Sequence, residues 1–265
     1  MDGSSQRAGS VLDGLSMVEW LSIVVLVLAV PAVLHFLFRR SDRLDAETLQ
    51  RLAGKRGWRI ERKLASQAGS AGGVGGGRGY RIEVFPTDGA GWSCLVTRYQ
   101  NIGAGGVVRK TEFEDAGARL PAGMVVIGPG IPEKEAAAAA MLFGRFDGAL
   151  GQLLLSKLLG DEAASAAGLQ QATDGAVPGA TVFATPDAPA SEVGATYAPL
   201  LRSWLRAHPK EEAFPILIAG PERLRIRLRT AAHRADELEA FLDHALETRR
   251  QLLVSAASKT GSSAT

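Results

Sequence analysis

The chain has a single cysteine, Cys94, among 265 residues. An internal disulfide is excluded, and so is any metal site built from several thiolates. A lone thiol also fits a reducing compartment. Cys94 lies in the strand-like W-S-C-L-V-T, where a small buried hydrophobe is the expected role. Histidine is scarce too: His35, His208, His233 and His244. His233 and His244 are placed on one predicted helix, about three turns and roughly 16 Å apart, too far to share a metal ion. There is no H-E-x-x-H, no G-x-S-x-G and no recognisable acid pair. Neither a metal nor another cofactor is expected. An excess of one charge is also missing: 30 basic residues face 28 acidic ones, for a net charge of +2. A general nucleic-acid binder is more basic than this, so nucleic acid is not an expected partner.

Glycine is abundant, yet it makes no phosphate loop. In G-G-V-G-G-G-R-G (72–79), Arg78 stands where G-x-G-x-x-G, counted from Gly73, needs glycine. A Walker loop counted from Gly72 needs lysine at 78 and Ser or Thr at 79; the chain has Arg78 and Gly79. The run also precedes a predicted strand, whereas both motifs open a helix whose N-terminus holds the phosphate. It reads as a flexible loop, and G-A-G-G (103–106) reads as a turn.

What the sequence does have is one long apolar run, Trp20 to Phe38, with no Asp, Glu, Lys or Arg in it. As a helix it reaches roughly 28 Å, close to the hydrocarbon thickness of a bilayer. Its Leu, Ile, Val and Phe residues each favour insertion by about 0.3–0.6 kcal/mol, enough to carry Ser22, Pro31 and His35. A cleaved signal would need a basic start and a small-x-small site; here the start is acidic and Arg39 and Arg40 follow the run. Arg39, Arg40, Arg43, Arg51, Lys55 and Arg56 lie just after it, and only Arg7 before it. The positive-inside rule then places residues 1–19 outside and 39–265 in the cytoplasm of a bacterial inner membrane. The bilayer is thus an expected partner, touched by the basic residues Arg39, Arg40 and Arg43. The bias to Ala, Gly and Arg over Lys resembles a GC-rich bacterial genome.

A juxtamembrane helix is predicted over 39–57, ended by Gly54 and Gly57. Alternating apolar residues predict strands at 58–64, 80–86, 92–99, 107–114, 124–127, 180–185, 214–219 and 222–229. The pair 80–86 and 92–99 flanks T-D-G-A-G and reads as a hairpin, as does the pair around Gly220-Pro221. Helices are predicted from Pro132, over 147–159, over 192–207 and over 233–254. In the third, Pro199 argues for two short helices or for a start near Tyr197. Residues 255–265 read as a polar tail. Strands cluster early and late with helices between, so the fold class is α+β with antiparallel sheet, plus one N-terminal transmembrane helix. The two strand clusters make either one sheet with a helical insertion or two subdomains divided near 130–180.

E-R-L-R-I-R-L-R is the most suggestive stretch. As a strand it puts Leu224, Ile226 and Leu228 on one side and Arg223, Arg225, Arg227 and Arg229 on the other. Same-side neighbours are about 6.6–6.8 Å apart, so four guanidiniums repel unless anions intervene. The row is either a face for phosphates, anionic lipid headgroups or an acidic partner, or a surface matched by acidic residues from neighbouring elements.

With its apolar run, R-G-W (56–58), G-R-G-Y (77–80), the Leu-Pro before M-V-V-I, and the late A-T-V-F, L-R-I-R-L and long-helix ending, the chain resembles bacterial single-span membrane-anchored proteins of uncharacterised function. That resemblance implies the architecture and brings no site residues. The expectation is a membrane-anchored cytoplasmic binding domain. The alternative is an enzyme whose site assembles from scattered residues.

Overall fold

The computed structural model describes residues 45–64, 79–101, 106–130, 168–172 and 175–262. Outside them lie the run 20–38, Arg39, Arg40, Arg43, His35, the glycine segment 72–78 and the helices expected from Pro132 and over 147–159. Among the described residues no helix is long and apolar enough to cross a membrane. The chain divides into two compact units, Met1–Gln50 and Arg51–Thr265. Of the first, only 45–50 are described, and they are helical.

In the second unit the helical residues 51–56 (α1) bury Leu52 and Ala53. Gly57 ends the helix at φ +67, a left-handed conformation that glycine adopts without strain. Its carbonyl accepts both the backbone N–H and the hydroxyl of Thr87, at 3.0 and 2.7 Å. Among the described residues nine strands follow: β1 Trp58–Leu64, β2 Gly79–Pro86, β3 Trp92–Asn101, β4 Gly106–Asp115, β5 Val125–Pro129, β6 Gln170–Gln171, β7 Ala180–Ala184, β8 Ile216–Ala219 and β9 Leu224–Leu228. Helix α2, Ala190–Ala207, comes between β7 and β8, and α3, Ala235–Ser262, ends the described chain.

All nine strands form one antiparallel sheet in the order β1-β2-β3-β4-β9-β8-β5-β7-β6. The early and late strand clusters therefore meet, through β4 against β9. Period-two alternation gives the sheet a core face with Ile60, Val84, Cys94, Phe113, Ile226 and Leu217, all buried. Trp92 links Trp58 (6.1 Å, edge-on) to Phe113 (5.7 Å, stacked). On the same face α3 buries Leu238, Phe241, Leu242 and Ala245 completely, while Leu246 is half-buried. Trp204 of α2 meets Phe241 edge-on at 6.4 Å.

Three expectations are corrected. Residues 190–207 make one helix, with Pro199 inside it. Pro199 is exposed, as is Ala195, whose carbonyl loses its usual partner; on this side water can serve that oxygen. Helix α3 starts at Ala235, so His233 precedes it, and it runs on to Ser262, past residue 254. Ala256, Ala257 and Lys259 are good helix formers and no proline stops them.

Candidate functional site

The face of the sheet opposite the core carries two kinds of surface. Over β8 and β5 it is apolar and covered: Met124 and Ile218 are buried, with Val126, Ile216 and Leu169 packed against them. Over β1, β2, β4 and β9 it carries a charge ladder, interrupted at β3 by Ser93, Leu95 and Thr97. Register explains the ladder: Glu112 lies opposite Arg227, and Glu114 opposite Arg225. Arg227 Nε donates to Glu112 at 3.1 Å, Arg225 Nε to Glu114 at 3.1 Å, and Arg223 Nη1 to Glu114 at 2.7 Å. Arg225 is buried, its side chain only 8% exposed. Three arginines of the predicted row are thus in contact with carboxylates. Arg229 is exposed, one residue past the strand.

The ladder continues across the sheet. Lys110 donates to Glu112 at 3.2 Å, and Glu83 receives Lys63 at 3.1 Å and Arg81 at 2.6 Å. Burial pushes the Glu112 carboxyl up, but Arg227 and Lys110 together hold it below the usual range. The hydrogen bond from Lys63 does the same for Glu83. Between these side chains lies a shallow depression of about 240 Å³, lined among others by Arg81, Glu83, Ser93, Glu112 and Glu114. Cys94 turns its side chain to the core face instead, and burial there pushes its thiol up and away from a nucleophile's range.

Two further clusters escaped sequence reasoning. In one, His244 of α3 packs among Tyr197, Trp204 and His208. Its ring is 5.0 Å from Trp204 and 5.9 Å from Tyr197, and His208 stacks on Trp204 at 3.9 Å. The polar ends of the large rings are served by the loop before β8. Tyr197 donates to the carbonyl of Pro215 at 2.9 Å, and Trp204 to that of Ala213 at 2.7 Å. Burial, helped by His208, pulls His244 down from 6.5 to about 4. The unfolded chain therefore takes up this proton first as pH falls. The His244 contribution is complete above pH 6.5 and is lost as pH drops through about 4. The expected loss across that window is about 3 kcal/mol. Urea unfolding at a series of pH values should show the loss beginning well above the carboxylate range, and His244→Gln should flatten that upper part. An unchanged profile in the variant would show that His244 stays accessible to protons.

In the other cluster, Asp115 has a fully buried side chain at the edge of the core. Arg249 of α3 donates to it through Nε, and the N–H of Gly117 at 2.6 Å. Asp115 stands at a core-facing position of its strand, two residues after Phe113, and a charged residue there was the available signal. Among the described residues no group of three or more His, Cys, Asp or Glu is placed to hold a metal ion.

No protein-family model matches the chain, and no curated protein or solved structure matches it. Its function is argued from its own residues.

Proposed function

We propose that this chain is a single-span membrane protein whose α+β domain, residues 58–254, is a binding domain on the cytoplasmic side. The observation that carries the reading is the charge-free run Trp20–Phe38, followed at once by Arg39, Arg40 and Arg43. The helix-backed sheet supports the binding role, because its second face offers a patterned surface. The arginines of β9 alternate with Glu112 and Glu114 of β4. A surface with both signs interleaved discriminates partners by pattern, which suits a protein. A bilayer presents charge of one sign, and headgroups at Arg225 would have to displace Glu114. The protein-partner reading is therefore favoured over lipid for Arg223, Arg225 and Arg227. The test of the membrane arrangement is the side on which the C-terminus lies. A reporter enzyme active only after export, fused behind Thr265, should stay inactive.

A further inference from the structure

The core face of β1–β4 does not end where the helices stop covering it. Arg62 lies opposite Ile82, and one step outward Tyr80 lies opposite Arg98, which lies opposite Arg109. All four side chains therefore share the face of Ile82 and Val96. Arg62, Arg98 and Arg109 are exposed, and Tyr80 is half-buried. The Arg62 guanidinium sits 5.2 Å over the Tyr80 ring. From the segment before α3, the His233 ring reaches within 6.4 Å of the same tyrosine. His233 Nδ1 is 2.9 Å from the Ala231 carbonyl and 3.8 Å from Glu237.

What sets Arg98 and Arg109 apart is that they oppose each other directly across β3 and β4. Arg56, Arg81, Arg223, Arg225, Arg227, Arg234, Arg249 and Arg250 each meet a carboxylate. Among the described residues neither Arg98 nor Arg109 has one within ion-pair distance. Directly opposed residues have Cβ atoms about 4.5–5.5 Å apart, and like charges so placed destabilise a sheet. An anion between the two guanidiniums turns that repulsion into attraction.

We infer that Arg98 and Arg109, flanked by Arg62, Tyr80 and His233, form a binding site for a phosphate group. Two arginines at directly opposed positions bring two positive charges to one spot, which a phosphomonoester of about −1.5 to −2 matches and a single carboxylate does not. The planar fork of each arginine fits phosphate oxygens two at a time. The phosphate can belong to a lipid headgroup or to a free phosphorylated molecule, and both present the same oxygens. The site stands on strand register alone and is independent of the membrane reading.

The experiment uses the full chain in neutral detergent at constant ionic strength. Thermal unfolding is followed with inorganic phosphate in one arm and with micelles doped with phosphatidic acid in the other. Binding to the folded state raises the unfolding temperature. A response to inorganic phosphate identifies a free ligand; a response confined to phosphatidic acid identifies a headgroup. The double variant Arg98→Gln/Arg109→Gln should lose about tenfold or more in apparent affinity for the responding probe. Without ligand it should unfold at the same temperature as the parent or higher, because the repulsion is gone. Arg109→Gln alone should fall between, and the distant Arg250→Gln should bind like the parent. The site is overturned if the parent responds to neither probe, or if the double variant responds as the parent does.

Discussion

Arg249→Gln should cost the fold about 3 kcal/mol, a large share of the stability of a domain this size. The reason is the carboxylate left behind. The side chain of Asp115 is fully buried, and without the guanidinium it keeps, among the described residues, only the Gly117 N–H. A buried ion pair adds little by existing but costs much when one partner is removed. The loss should lie at the lower end of the usual range, because the Arg249 side chain is 26% exposed and water reaches that end of the pair. Asp115→Asn/Arg249→Met removes both charges and should recover much of the loss. Arg250→Gln removes an exposed partner of Glu247 one residue along and should leave the stability almost unchanged. Urea denaturation of the full chain in mild detergent gives all three values. Equal costs for Arg249→Gln and Arg250→Gln would show that Asp115 is solvated.

Phe241→Ala should be at least as damaging, by about 3–5 kcal/mol. Phe241 is fully buried between the sheet and Trp204, and truncation leaves a cavity that the rigid indole cannot fill. Two residues back, Glu239→Ala removes one of the two carboxylates that hold Arg56; Asp243 remains, at 2.6 Å. That change should cost less than about 1 kcal/mol. The same denaturation series separates the two faces of α3, and similar losses would place Phe241 at the surface.

Both effects depend on pairings between distant parts of the chain, and these were the hardest features to read from residues. The strands themselves were legible. W-R-I-E-R-K-L, Y-R-I-E-V-F-P and L-R-I-R-L alternate because each is buried on one face, and period two is unmistakable when the other face is charged. Their partners were not legible. Nothing local indicates that β9 lies against β4, yet that neighbour puts Glu112 and Glu114 opposite the arginine row. The sequence reading weighed a bare row of cations against a matched one. The decision between them is made by residues about 110 positions away.

Arg98 and Arg109 show the same limit at shorter range. They are eleven residues apart in the chain, and only the register of β3 against β4 sets them opposite each other. A signal did exist: Arg62, Arg98, Arg109 and Asp115 all stand at positions where the alternation calls for an apolar residue. Asp115 turned out to be buried and clamped, and the three arginines exposed. Pro199 misled in the opposite direction, since a proline on the wet side of a helix costs less than one facing the core.

The central claim is the membrane arrangement, and its most direct measurement is a pair of fusions to alkaline phosphatase, which folds to an active form only after export. One fusion follows Thr265 of the intact chain and the other replaces everything after Phe38. In the second fusion Arg39 and Arg40 are restored between Phe38 and the reporter, so that the basic flank stays in place. The account predicts that both fusions are membrane-bound and inactive, with the C-terminal side retained inside by the arginines. Strong phosphatase activity from the Thr265 fusion would contradict it.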